Sequence, residues 1–240
     1  MRFETRYTYN FVKQFLPPKC HRILEVGCGT GELAAALSKD GYSVVAIDMN
    51  SDSIAAAQQL RVDARVARWP DFKDGRFDAI LFTRSLHHIH PLDESIRHLT
   101  DSLSEAGRVI VEDFAYESVD EKTLRWFAGA ICLLESTESL TVNNDLLKKI
   151  LSKTKTLKAW RQNHENELHT ATEIDAQLEK TFGRVVRKKA PYFFRYAANA
   201  IPGTEKRNAI LQAFAKEEET LYSNNSIVAL GRRFVAPASA

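Results

Sequence analysis

Residues 22–50 read RILEVGCGTGELAAALSKDGYSVVAIDMN, and this stretch decides the fold. Arg22–Val26 is a short apolar run with glycines just beyond it, as in a buried strand. ELAAALSKD then spaces its apolar residues at three and four, which predicts a helix with one buried face. Gly41 sits where that helix should stop, and 43–47 returns to a strand. Between the first strand and the helix lie Gly27, Gly29 and Gly31. Glycines there let the chain turn sharply and bring its backbone close to a ligand at the helix N-terminus. A dinucleotide site of the G-x-G-x-x-G kind would need glycine where Glu32 stands, so the G-x-G-x-G spacing argues against a nicotinamide or flavin enzyme.

The same rhythm continues outward. Strands are predicted at 65–67, Phe77–Thr83 and 108–114, with SIAAAQQL and DESIRHLTDSL as the helices between them and Gly107 ending the second. Alternation of strand and helix implies a parallel sheet covered on both faces. From 115 to 169 the rhythm breaks into an insertion, with helices expected at 120–134 and 143–151 and a polar stretch, KAWRQNHENELH, to which no structure is assigned. Beyond it, ATEIDAQLEKTF and TEKRNAILQAFAKEEETLY read as helices, RVVRKKAPYFFRYA and NSIVALGRRFV as strands, and APASA as a frayed tail.

With 240 residues the chain suits one substantial α/β domain rather than two. A net charge of +2 gives no whole-molecule case for nucleic acid, so that any polyanion binding would have to be local, and neither DNA nor RNA is expected as a partner. Cys20, Cys28 and Cys132 fall at unrelated spacings, without a zinc pattern, which fits a reducing, cytoplasmic setting. The first 20 residues lack the apolar core of a signal peptide and no apolar run approaches a membrane span, so no membrane association is expected.

ILEVGCGTGELAAALSKDGYSVVAIDMN resembles the first motifs of the class I S-adenosylmethionine-dependent methyltransferases, and FDAILFTRSLHHI and GRVIVEDF resemble their later strands. The likeness runs from about residue 20 to 114. It implies a doubly wound α/β fold: a mostly parallel seven-stranded sheet with an antiparallel last strand, carrying a helical insertion after the fifth strand. The chain is then one methyltransferase domain over 1–240, made of an N-terminal helical segment (1–20), a cofactor-binding half (21–114), the insertion as a lid (115–169) and a C-terminal completion of the sheet (170–240). The cofactor implied is S-adenosyl-L-methionine, leaving as S-adenosyl-L-homocysteine.

By that resemblance Gly27, Cys28, Gly29 and Gly31 pass beside the methionine part of the cofactor, with Glu25 organising the loop and its ammonium contacts. Asp48 ends the second strand, where a carboxylate can accept both ribose hydroxyls, and Met49 packs on the adenine. Asp48 lies about twenty residues after the glycine loop, as acidic residues do in other nucleotide sites. Many relatives carry a Gly-Asp-Ala-like segment at the third strand, whereas this chain has VARWPDF, putting Arg68 or Trp69 there. Trp69 either stacks on adenine or covers the sheet edge.

TRSLHHIHP follows the fourth strand and brings Thr83, Arg84, Ser85, His87, His88 and His90 to the mouth of the expected site. Thr83 is assigned to the cofactor. His87 and His88 are the candidate bases, should the acceptor have a proton to lose; a positional role for the Leu-His-His pattern stands beside that reading. No carboxylate or cysteine pattern completes a metal site around these histidines, and none is expected. The chain has neither the Asp/Asn-Pro-Pro-aromatic segment that marks methylation of nucleobase amino groups nor the Pro-Cys of cytosine-carbon methylation. A small-molecule acceptor methylated at oxygen or nitrogen is therefore expected, with Tyr7, Tyr116, Trp126 and His164 among its contacts, in a monomer or homodimer. The alternatives are an RNA or protein methyltransferase and a non-catalytic cofactor-binding scaffold. Valine at Gly29 is expected to abolish cofactor binding with the fold intact.

Overall fold

The structure is a computed structural model that describes all residues except 143–144, 153–155, 165–167, 204–205 and 238–240. Asn143, Lys153, Lys155, the centre of the polar stretch, Thr204, Glu205 and the end of the expected tail lie outside the described residues. The chain starts with α1 (Phe3–Phe15), β1 (Arg22–Val26), α2 (Glu32–Lys39), β2 (Ser43–Asp48), α3 (Ser51–Gln59), β3 (Asp63–Val66) and β4 (Phe77–Thr83). There follow α4 (Leu92–Ser102), β5 (Leu103–Phe114), α5 (Glu121–Ser136), α6 (Asp145–Leu151), α7 (Thr156–His164) and α8 (Ala171–Phe182). It ends with β6 (Val186–Ala190), α9 (Phe194–Ala198), α10 (Arg207–Ser223) and β7 (Gly231–Pro237).

The seven strands form one mixed sheet in the order β3-β2-β1-β4-β5-β7-β6, with the last strand antiparallel. β1 pairs in parallel with both β2 and β4, with Glu25 opposite Ala46 on one side and Leu81 on the other. This is the doubly wound, mostly parallel seven-stranded architecture that the resemblance implies. Alternation along the strands puts Ile23, Val44, Ala79, Leu81 and Ile110 on one face, where they form a core with Val12 of α1, Leu33 and Leu37 of α2, and Ile54 of α3. Leu24, Val45, Ile80 and Phe82 point the other way and are equally buried. Truncating one of these to alanine typically costs 2–5 kcal/mol. Two helices start where a polar side chain caps them: the Ser53 amide donates to Asn50 Oδ1 and the Thr123 amide to Asp120 Oδ1.

The residues divide into two compact units, Met1–Asp113 with Ala171–Lys188 and Arg233–Ala240, and Phe114–Thr170 with Lys189–Arg232. In the first, buried Glu112 accepts bonds from Arg233 Nε and Nη2 at 2.8 and 2.6 Å and from Thr8 Oγ1 at 2.7 Å. A buried carboxylate persists because it is paired and hydrogen-bonded in this way, and it ties α1, β5 and β7 together. Among the described residues no helix is long and apolar enough to cross a membrane.

The second unit is built on rings: Trp160, Phe127, Phe193 and Tyr196 pack with centroids 4.8–6.3 Å apart. Beneath them Glu218 of α10 is fully buried, and the Tyr192 amide donates to its Oε1 at 2.6 Å. Burial pushes the Glu218 carboxyl up from 4.5 to about 8, against the opposing backbone hydrogen bonds. Between those two values the unfolded chain has lost this proton and the folded one keeps it, so the group's contribution to stability falls as pH rises through that window. Glu218→Gln removes the titration. Its stability relative to wild type is expected to improve steadily from pH 4.5 to about 8, and denaturant midpoints across that range check it; a constant difference would mean Glu218 is ionised throughout.

Several sequence expectations change in the structure. The third strand is Asp63–Val66 rather than 65–67, and the fifth begins at Leu103, so Gly107 lies inside β5 and does not end the preceding helix, which stops at Ser102. The run RVVRKKAPYFFRYA is a strand only over Val186–Ala190; beyond Pro191 it turns into α9. The last strand starts at Gly231, six residues later than the alternation suggested, where an added Cβ would lie 2.5 Å from the Ala190 carbonyl oxygen. The start of KAWRQNHENELH, left without structure above, lies in α7.

Candidate functional site

β1 lies between β2 and β4, and the chain leaves it in one direction for β2 and β3 before returning for β4. A parallel sheet of this order opens a crevice at the carboxyl ends of the strands where the order reverses. A cavity of about 490 Å³ lies there, lined by Val26 and Gly27 after β1, Ile47, Asp48 and Met49 at the end of β2, Ala67, Arg68 and Trp69 after β3, and Arg84, Ser85, His88, Ile89 and His90 after β4.

Backbone bonds hold the glycine loop against β2. The Gly27 and Cys28 amides donate to the Ile47 carbonyl at 2.8 and 3.1 Å. The Gly29 amide donates to Asp48 Oδ2 and the Asn50 amide to Asp48 Oδ1, both at 2.9 Å. Asp48 is thus oriented by two N–H groups, and each oxygen keeps capacity for a further donor. A Cβ at Gly27, whose φ is +73°, would lie 2.4 Å from Ser85 Cβ, and one at Gly31, with φ +74°, 2.5 Å from Ala57 Cβ. Gly31 precedes α2 and packs on α3, away from the cavity lining. Burial pushes the Cys28 thiol up to about 12, with the charges of Glu25 and Asp48 adding to it, so it stays protonated.

Glu25 is 2% exposed on β1. Thr83 Oγ1, on the neighbouring β4, donates to its Oε1 at 3.2 Å, and its Oε2 is buried with no hydrogen-bond partner. Burial raises this carboxyl to about 8, while Thr83, the Ala34 amide and the Arg84 charge oppose the rise. Neither Glu25 nor Thr83 reaches the cavity lining. They form a buried pair behind the loop.

Met49 is 71% exposed at the cavity rim. Arg68 donates from Nη2 to the His90 carbonyl at 3.1 Å. Trp69 is buried: its Nε1 donates to the Ser95 carbonyl at 3.1 Å, and its ring meets Phe82 edge-on and His98 at 4.7 Å. Both readings of Trp69 have a basis, since the indole packs against its neighbours and also walls the cavity.

The two candidate bases have different surroundings. His87 is buried, with Nδ1 2.7 Å from Asp113 Oδ1, and is absent from the lining. His88 lines the cavity, its ring 4.2 Å from that of His87. Burial lowers the His88 pKa, the His87 charge lowers it further and Asp113 opposes them, so at neutral pH His88 is an uncharged imidazole. Sequence reasoning did not find Asp113; the signal available was a carboxylate inside the apolar run GRVIVEDF, where only a partnered charge is tolerated. Among the described residues no three His, Cys, Asp or Glu converge as a metal site.

Of the four residues expected to meet the acceptor, Tyr7 lies in the first unit and the other three in the second, where Tyr116 and His164 pack on each other. Tyr7, in the first unit, lies under the Arg233 guanidinium, 4.6 Å from its ring. Tyr116, Trp126 and His164 belong to the second unit. Tyr116 donates from its hydroxyl to the Leu168 carbonyl and stacks on His164 at 5.8 Å. His164 sits between the Trp160 carbonyl and the Tyr196 hydroxyl, at 2.8 and 2.9 Å. Trp126 packs edge-on against Phe193 and Phe214.

A methyltransferase domain family matches residues 3–181, more than half of the chain. An uncharacterized methyltransferase of Staphylococcus carnosus is 34% identical over 101 residues, 40% of this chain and 49% of that protein. A ubiquinone biosynthesis O-methyltransferase of Xanthomonas oryzae pv. oryzae is 28% identical over 185 residues, 73% of this chain and 75% of that protein. The matches to the first curated relatives span about half of those proteins or less. Among solved structures, the plantazolicin methyltransferase BpumL in complex with a triazolic desmethylPZN analog and SAH superposes with a TM-score of 0.57 at 15% identity, over 99% of this chain and 84% of that one, which shows a shared fold.

Proposed function

Because the chain belongs to the methyltransferase domain family, we propose that it transfers the methyl group of S-adenosylmethionine to an oxygen or nitrogen of a small organic molecule by direct displacement. The observation that carries this reading is the cavity in which Asp48, oriented by the Gly29 and Asn50 amides, faces the turn of the glycine loop. Its volume of about 490 Å³ suits a ligand of nucleoside size. The ribose hydroxyls would donate to Asp48, the adenine would lie between Met49 and the Ala67–Trp69 backbone, and Glu25, buried behind the loop, would organise the turn beside the ammonium. When bound, S-adenosylmethionine supplies a methyl group on a sulfonium, which a nucleophile can displace directly.

The chain's own part in such a reaction is mostly to position the reactants and exclude water. His88 is the histidine that lines the cavity and is held neutral, and so would take the proton of a hydroxyl acceptor. His87, paired with Asp113, would keep the loop in place. Ubiquinone biosynthesis O-methyltransferases among the relatives support a small-molecule acceptor and make hydroxyl compounds the first to try. A reducing, cytoplasmic setting goes with this reading, since Cys20, Cys28 and Cys132 are free thiols.

Two measurements test it. Calorimetry should detect saturable binding of S-adenosylhomocysteine, and cofactor labelled on the methyl group should pass label to a member of a panel of metabolite hydroxyls and amines. No cofactor binding would remove the reading; binding without transfer to any acceptor class would leave a scaffold. With a hydroxyl acceptor in hand, His88→Gln is expected to lower kcat by about 10²-fold, at the lower end for general-base catalysis, with KM for the cofactor unchanged. An unaltered kcat would leave His88 only a positional role.

A further inference from the structure

In the sheet order β3 lies on the far side of β2 from β1, so the loop that follows it stands beyond Asp48 from the glycine turn. Three of its residues line the cavity there: Ala67, Arg68 and Trp69. The Trp69 indole has a single N–H, which donates to the Ser95 carbonyl. The Ala67 amide donates to the Asp48 carbonyl at 3.1 Å. What this loop offers a ligand from its side chains is therefore the guanidinium of Arg68. Its Nη2 donates to the His90 carbonyl at 3.1 Å, which carries the side chain across to the loop after β4, and its Nε lies 4.0 Å from the exposed Asp71 carboxylate. Nη1 makes no hydrogen bond or ion pair among the described residues, so both of its N–H groups and the second one of Nη2 are open to a ligand.

Guanidinium donates and never accepts, so the part of a ligand that meets Arg68 must present lone pairs. Asp48 is the one carboxylate among the residues lining the cavity, and its oxygens already hold the Gly29 and Asn50 amides. A purine nucleoside whose ribose is held at Asp48 extends its base toward the loop after β3. The two kinds of purine differ in what they show there. A 6-oxopurine has two adjacent acceptors, O6 and N7, which match two parallel N–H groups of one guanidinium; a 6-aminopurine has N7 as an acceptor but an amino donor beside it, which a guanidinium opposes. We propose that Arg68 reads the base of the bound nucleoside and makes the site accept the deaminated, 6-oxo form at least as well as the 6-amino form of S-adenosylmethionine. Adenine takes one bond, at N7, and the 6-oxo base takes two. The assignment rests on the S-adenosylmethionine reading above and concerns only the base of that ligand.

S-Adenosylhomocysteine and S-inosylhomocysteine differ only in the base, so the ratio of their affinities reports how that base is read. Each is titrated calorimetrically into wild type, Arg68→Gln and Arg68→Ala. The Arg68 side chain is 56% exposed, so both variants retain the fold, which thermal melts check. Glutamine puts one acceptor and one donor side by side, the match for a 6-aminopurine. Wild type is expected to bind S-inosylhomocysteine as tightly as S-adenosylhomocysteine or up to about 10-fold more tightly, Arg68→Gln to prefer S-adenosylhomocysteine by about 10-fold, and Arg68→Ala to fall between them. If Arg68 only ties the loops after β3 and β4 together, both ligands weaken in step and the ratio stays that of wild type, which overturns the assignment. A clear preference of wild type for S-adenosylhomocysteine overturns it as well. Both of these outcomes leave the cofactor reading intact, whereas wild type binding neither ligand removes that reading and this assignment with it.

Discussion

Replacing Asp48 with alanine is expected to weaken binding of S-adenosylhomocysteine by roughly 1.5–3 kcal/mol for each charge-assisted hydrogen bond lost, or about 10- to 100-fold per ribose hydroxyl. The carboxylate has a second task, because its two oxygens hold the Gly29 and Asn50 amides. Alanine therefore also frees the loop, which places the loss at the upper end of that range. Asp48→Asn separates the two contributions: its single amide oxygen can hold one backbone donor or one hydroxyl without the negative charge. An intermediate affinity for Asp48→Asn, with the melting temperature of wild type, is the expected result. If calorimetry finds wild-type affinity in a folded Asp48→Ala protein, the ribose assignment fails.

Alanine at Gly27 should have the larger effect. The added Cβ would lie 2.4 Å from Ser85 Cβ, and the residue would have to hold φ +73°. A left-handed conformation alone costs an alanine roughly 1–2 kcal/mol. The overlap cannot be relieved cheaply, since Ser85 is itself anchored by its hydroxyl to the Val26 carbonyl. The loops after β1 and β4 would have to part, opening the cavity they both line, so binding of S-adenosylhomocysteine should become undetectable together with a drop in stability. Alanine at Gly29 makes a sharp control. There φ is +52° and an added Cβ meets nothing within 4 Å, so only the conformational cost applies. Comparison of Gly27→Ala with Gly29→Ala by thermal melts and calorimetry decides the matter: equal effects would show that backbone strain, and not the contact with Ser85, is what the glycine avoids. From sequence the expectation was that valine at Gly29 abolishes cofactor binding; the crowding beside Gly27 adds a second sensitive position. Side-chain room beside a glycine is a property of its neighbours in space, and Ser85 is far from Gly27 in the chain.

Where the information was local, the sequence was legible. β1, the glycine turn and α2 follow from apolar periodicity and from dihedral angles that only glycine adopts freely, and the observed β1 and β4 have the bounds that the pattern implied. Asp48 could be placed because a strand end and its distance from the loop are both countable along the chain. The C-terminal part was harder, since its elements depend on distant partners. PYFFRYA is rich in residues that favour strands, yet it forms α9, entered through a Tyr192 amide bonded to Glu218, which lies 26 positions away.

The same division runs through the site. By itself the sequence determined that a glycine-rich turn follows β1, that an acidic residue ends β2, and that histidines and an arginine follow β4. Only the tertiary structure decided that His87 is turned away toward Asp113 while His88 lines the cavity, that Glu25 is buried with an unpartnered oxygen, and that the exposed Arg84 lines the cavity. The physical reason is that backbone preference and periodicity act over a few residues, whereas burial, desolvation and charge pairing depend on which strands the sheet brings side by side.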